Sequence, residues 1–156
     1  MISFAFLPRI DDPSWDVDGM SGFSARALTA DDLTFRYFSS DVVIGDGRNE
    51  IQLRTPGIPV IDFVLMLVQL RREVISSGES VVESSQSQDS ITAVRVGGVV
   101  ELSYSFSSVG STVSLRDLQE APKRALQSAL EVLFSAHGDL RSNGYLIELS
   151  HLVRSD

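Results

Sequence analysis

Ile2, Phe4 and Phe6 alternate with Ser3 and Ala5 at the start of the chain. A period of two puts every second side chain on one face, so this spacing predicts a strand, which Pro8 ends. Residues 9–32 break the pattern: Asp, Gly and Ser dominate, Trp15 and Phe23 stand as apolar anchors, and a short helical turn fits 29–32. Leu33, Phe35 and Tyr37 resume the alternation against Thr34 and Arg36, predicting a second strand, which Val42 to Ile44 continues or replaces past a bulge at Ser39 and Ser40. Gly45-Asp46-Gly47 marks a turn, and Ile51 with Leu53 marks the returning strand of a hairpin.

After Pro56-Gly57 the period changes. Pro59 suits a first helical turn, where its missing N–H costs nothing, and the helix runs to about Ile75 with Gly78 as its stop. Asp62, Gln69, Glu73 and Ser76 form one narrow polar stripe on an otherwise apolar cylinder, which places this helix at the centre of the fold. Residues 76–90 are mostly Ser, Gln, Glu and Asp; they read as an exposed loop with room for one short edge strand at Val81-Val82. Ile91 to Val96 and Val99 to Phe106 flank Gly97-Gly98, a two-residue loop that allows the positive φ of a tight hairpin. Val100, Leu102, Tyr104 and Phe106 share one face of this hairpin, whereas Glu101, Ser103 and Ser105 share the other, which is therefore wet.

A further short strand fits Ser111 to Leu115. Ser114 and Asp117 have the spacing of a capping box, and Leu118, Ala125, Leu126, Ala129, Leu130, Leu133 and Phe134 form one helical stripe that Gly138 terminates. Pro122 marks either a kink or the first turn of this helix. Tyr145, Ile147 and Leu149 alternate with Leu146, Glu148 and Ser150, predicting a last strand or extended tail. Segregated rather than alternating elements predict an α+β fold: an antiparallel β-sheet with two main helices packed on one face, in a single domain over 1–156 whose loop-rich parts are 9–32 and 76–90. The other face of that sheet, with its Ser and Glu side chains, is left open to water or to a partner.

Composition then narrows the chemistry. The chain has no cysteine and two histidines, so no disulfide framework, thiolate metal site or cysteine nucleophile is available. The net charge is −8, and an acidic field repels nucleic acid and anionic membrane while attracting basic proteins. The longest apolar run, Val60 to Leu70, is interrupted by Asp62 and Gln69 and is too short to span a bilayer. No secretory leader is recognisable at the N-terminus, and the expected compartment is the cytoplasm.

The candidate sites are few. Asp16-x-Asp18-Gly19 echoes the middle of a calcium loop, but Ser14 and Ala25 occupy the positions where the first ligand and the closing Glu belong. Gly45-Asp46-Gly47 fails as a dinucleotide fingerprint because Glu50 stands at the third glycine position. No serine lies in a G-x-S-x-G elbow. His137 falls at the end of a helix, where a cation complements the dipole, and His151 shares strand parity with Tyr145. Asp62 gains from the N–H groups of a helix start; buried beside a second acid, it could act as a general acid. The pairs Arg71-Arg72 and Lys123-Arg124 lack interleaved aromatics, so no nucleic-acid partner is expected, nor any metal or other cofactor.

What remains in surplus is acid. Asp11, Asp12, Asp16 and Asp18, the pair Asp31 and Asp32, and Asp46 with Glu50 are the candidate partner-binding residues, with the 79–90 segment as a further acidic stretch. In being small, acidic, cysteine-free and poor in catalytic groups, the chain resembles the immunity proteins of bacterial polymorphic-toxin systems. That resemblance is one of class and carries over no site residue. It implies a non-catalytic protein that neutralises a cognate toxin domain, often a basic nuclease. The alternatives are an adaptor or structural domain that self-associates through a sheet edge or a helix face, and an enzyme built on carboxylates.

Overall fold

The computed structural model describes residues 1–16 and 24–155. Its strands pair with their sequence neighbours in two antiparallel meanders. β1 (Ser3–Pro8), β2 (Ser39–Gly45) and β3 (Glu50–Pro59) form the first sheet in that order. β4 (Glu79–Glu83), β5 (Ser90–Val96), β6 (Val99–Tyr104) and β7 (Ser111–Ser114) form the second. Helix α1 (Val60–Ser77) links the sheets, and α2 (Leu115–Ala136) follows the second; a 3-10 turn (Gly138–Ser142) then leads to α3 (Gly144–Ser155).

The fold is α+β, with the strands divided between two sheets rather than joined in one. The apolar cylinder of α1 accounts for the division. Val60, Ile61, Phe63, Val64, Leu70 and Val74 are fully buried, and one flat sheet covers only one side of a helix. The inner faces of both sheets meet α1 and α2 in a shared core. Ile2, Phe4 and Ile44 from the first sheet, Leu67 and Leu70 from α1, Ile91, Leu102 and Tyr104 from the second, and Leu118 and Ala121 from α2 close on a gap of about 10 Å³. Phe63 meets Phe4 and Phe6 edge-on, each at 5.8 Å between ring centres. Within α1, Asp62 is buried along with its apolar neighbours.

Two predicted strands are helical. Residues 32–36 form a π-turn, Asp32–Arg36, in place of a strand through Leu33, Phe35 and Tyr37. Thr29 and Asp32 cap it reciprocally: the Thr29 N–H donates to Asp32 Oδ2 at 3.0 Å, and the Asp32 N–H donates to Thr29 Oγ1 at 3.2 Å. The consecutive residues Leu33 and Thr34 are both buried while Phe35 is exposed, a helical pattern. Residues 144–155 form α3 in place of a last strand. Its apolar positions satisfy both periods, but Leu146, Leu149 and Val153 are the buried ones, a stripe at spacings of three and four. Asn143 starts this helix by accepting from the Leu146 N–H at 3.1 Å.

Other expectations hold in detail. Ser114 Oγ accepts from the Asp117 N–H at 3.0 Å, so α2 begins at Leu115 and runs through Pro122 rather than starting there. In the β5–β6 hairpin only Gly97 takes positive φ, +65°. The short edge strand at Val81-Val82 is present and longer, Glu79–Glu83, with Ser80 and Val82 turned inward. Trp15 is an anchor, its Nε1–H donating to Ser39 O at 2.7 Å; Phe23 lies outside the described residues.

Candidate partner-binding surface

Most groups able to do chemistry are occupied in holding the fold. Asp12 accepts from the Ser14 N–H and Oγ–H and from the Ser39 N–H, at 2.9, 2.6 and 2.8 Å. Ser14 Oγ in turn accepts from the Phe38 N–H at 2.9 Å. Phe38 is fully buried with φ +64°, a strained conformation for a bulky residue, and it is held between Trp15 and His137 at ring distances of 5.1 and 5.6 Å. His137 is buried at the end of α2 with Nε2 2.6 Å from Ser14 O. A carbonyl only accepts, so Nε2 carries the proton. Its structural role is to tie the N-terminal loop to α2, beyond any complement to the helix dipole. His151 lies exposed on α3.

Two constellations come nearest to a catalytic arrangement. Tyr104 Oη donates to Ser111 Oγ at 2.9 Å, and Ser111 Oγ donates to Asp46 Oδ2 at 2.7 Å. Partial burial works to raise the Asp46 carboxyl, but the Asn49 N–H, the Ser111 hydroxyl, the Arg48 N–H and the Arg48 charge together hold it below the ordinary range. A carboxylate so stabilised is a weak base towards Ser111, and burial raises the Tyr104 hydroxyl. The chain of bonds instead fastens the β2–β3 turn to β7. Asp62 is the second case. Burial pushes its carboxyl up, against hydrogen bonds from the Ser85 hydroxyl at 2.8 Å and from the Ser85 N–H and Ser84 hydroxyl at 3.1 Å each. These bonds clip the 84–89 loop to the start of α1.

The candidate acids fall at two ends of the first sheet. Pro8 lies opposite Ser40 and Ser3 opposite Gly45, so Asp12 sits at one end of β2 and Asp46 at the other, roughly 20 Å apart at about 3.3 Å per residue. At the first end, a cleft of about 250 Å³ is lined by Arg9, Asp11, Asp12 and Arg36, with Pro13 and Ser39. Arg9 bonds Asp11 and Asp41 at 3.1 and 2.8 Å and holds the Asp11 carboxyl below its ordinary value. Asp32 meets Arg36 at 3.6 Å. Asp16 and Asp31 are exposed, and Glu50 is exposed at the start of β3. Asp18 lies outside the described residues, as does most of the calcium-like run. Of the basic pairs, Arg71 is buried and donates to Gln119 O at 3.2 Å, and Arg124 donates to Ile2 O at 3.5 Å.

The outer face of the second sheet has a different character. Glu79, Val81 and Glu83 of β4, Thr92, Val94 and Val96 of β5, Val99, Glu101 and Ser103 of β6, and Thr112 of β7 point away from the core. The register sets Val81 beside Thr92 and Ser103, and Glu79 beside Val94, Glu101 and Thr112. Val81, Val94, Val96 and Val99 are 39–59% exposed. None of these side chains is basic, and the ion pairs among the described residues include none of the three glutamates. At the β4 side a cleft of about 470 Å³ is lined by Glu73, Ser77, Glu79, Ser80, Val81, Thr92, Ala93 and Val94. The Ser/Glu face of the 99–106 segment was legible in the sequence. The 79–90 segment was legible as an acidic stretch, but not that Glu79, Val81 and Glu83 share one face of a strand, although their period-two spacing carried the signal.

Among the described residues no helix is long and apolar enough to cross a membrane, and no group of three or more His, Asp or Glu side chains gathers to hold a metal ion. Comparison with known proteins finds no matching family model, no similar curated protein and no similar solved structure.

Proposed function

We propose that the protein is a non-catalytic binding protein whose outer sheet face takes a basic protein domain, and that it neutralises that domain in the manner of bacterial toxin immunity proteins. The observation that carries the reading is the face spanning β4 to β7: three glutamates without a cation among them, set around four exposed valines. Apolar contacts supply affinity and the acids supply orientation and encounter rate. The hydroxyls and carboxylates of the interior are committed to loop anchoring, which supports binding over catalysis. The loop acids Asp11, Asp12, Asp16, Asp18, Asp31 and Asp32, together with Asp46 and Glu50, add long-range attraction.

The test is association kinetics with a basic toxin domain encoded beside this chain's gene. The triple reversal Glu79→Lys, Glu83→Lys and Glu101→Lys is expected to slow association about tenfold or more near 0.15 M salt, with a smaller change in dissociation. An association rate that is independent of salt and unchanged by the reversal overturns the reading.

A further inference from the structure

The two terminal bonds of the β4–β5 ladder fix which side of β4 is free. The Arg95 N–H donates to Gly78 O at 2.7 Å and the Ser84 N–H to Asp89 O at 2.9 Å. In this register Gly78, Ser80, Val82 and Ser84 direct their main chain to β5, so Glu79, Val81 and Glu83 direct theirs to the open edge. The Glu79 carbonyl already accepts from Ser77 Oγ at 3.0 Å, which leaves Val81 and Glu83 as the residues able to pair. The other edges are less open. Arg124 of α2 bonds Ile2 O beside β1, β7 is four residues long, and the β2–β3 ladder that carries the remaining edge is irregular, its register shifting between Ser40 and Val42.

Charge decides the occupant. An antiparallel pairing of two copies about Val81 would set Glu79 opposite the partner copy's Glu83 on both sides, and like charges directly opposite are destabilising. A second copy is therefore disfavoured at this edge, whereas a basic strand gains two opposite-charge pairs. We infer that β4 receives an extended segment of a protein partner as a fifth strand, with a β-branched residue opposite Val81 and Lys or Arg two residues to either side. The cation opposite Glu79 also reaches the cleft that holds Glu73, whose carboxylate accepts from Gln69 and Ser80 with no cation at ion-pair distance among the described residues. This rests on the acidic-face reading above and adds the mode of contact.

The probe is a capped synthetic heptapeptide with a central valine, lysine two positions away on each side, and threonine between. Its controls carry glutamate for lysine, or N-methyl groups on the amides that face the edge. In amide exchange followed by NMR, the basic peptide is expected to slow the Val81 and Glu83 amides about tenfold, and neither control should. Val81→Pro, tolerated at an edge position whose N–H the sheet does not use, should abolish the effect, and Glu79→Gln with Glu83→Gln should weaken it. Equal binding by the N-methylated peptide, or perturbation centred on Val94 and Glu101 instead of the edge, overturns strand addition while leaving the acidic face as the docking surface. No binding by the basic peptide overturns it too, and the charge-reversal kinetics then decide separately whether the acidic-face reading survives.

Discussion

Single buried polar residues set what this fold tolerates, and Asp62 is the sharpest case. It sits in the first turn of a helix, 4% exposed, with its carboxyl raised by burial from an ordinary value of 3.8. The folded chain therefore holds this proton more tightly than the unfolded chain does. The stability that the proton confers is complete below about pH 3.8 and is lost as pH rises through the folded value. Asp62→Asn keeps an oxygen that can accept from Ser84 and Ser85 but does not titrate. The stability of the native chain minus that of the variant should thus fall as pH rises from about 4 to neutrality, by about 1.4 kcal/mol for each tenfold change in proton affinity. Urea titrations of both proteins across that range check it, and a difference that is flat or rising with pH sinks it. The sequence showed an acid in an apolar helix; it could not show the serines, because Ser84 and Ser85 are more than twenty residues away. His137 was legible as a structural residue at a helix end, but not its partner Ser14, which is 123 residues distant.

At the level of elements, periodicity succeeded where one period alone fitted and failed where two did. The stripe of α2 and the alternation of β6 each admit a single reading, and both were legible. Residues 145–153 are apolar at positions that serve a strand or a helix equally, and the cap that decides it belongs to Asn143. Residues 33–37 were lost to a reciprocal cap between Thr29 and Asp32. The joint between β2 and β3 is a comparable local device. The register slips between Ser40 and Val42, and Gly57 opposite has φ +88°, where an added Cβ would overlap Arg9 Cδ and stand 3.3 Å from Ser40 O. Gly47 has a similar φ of +90° but nothing within 4 Å of such a Cβ. Gly57→Ala should therefore destabilise more than Gly47→Ala, the latter costing about 1 kcal/mol and the former about 2–3. Thermal melts should show the difference as several degrees. Equal melting temperatures would mean that Arg9 moves aside without cost.

Seen whole, the molecule closes its two ends on each other. Arg124 reaches Ile2 O, His137 reaches Ser14 O, and Asn143 Nδ2 donates to Ala25 O and Leu28 O at 3.1 and 2.9 Å. Each contact spans 115 to 123 residues of chain. Composition announced an acidic surplus without saying which face carries it, since location depends on strand register and on two sheets sharing one helix. The long-range ties carry a consequence for synthesis. A ribosome adding about 5–20 residues per second delivers His137 and Asn143 some 6 to 25 seconds after the segments they fasten. During that interval the first sheet can pair and Phe63 can meet Phe4 and Phe6, but the cover that α2 supplies is missing, and Phe38 lacks the His137 side of its packing. Chains stalled with residue 136 outside the exit tunnel should be cut by protease within 9–38, and those stalled with residue 155 outside should resist. Equal resistance at both lengths would mean that the N-terminal segment folds unaided. A nascent chain of this design leaves the loop around Trp15 and Phe38 half-covered and open to chaperones until the last turns of helix emerge.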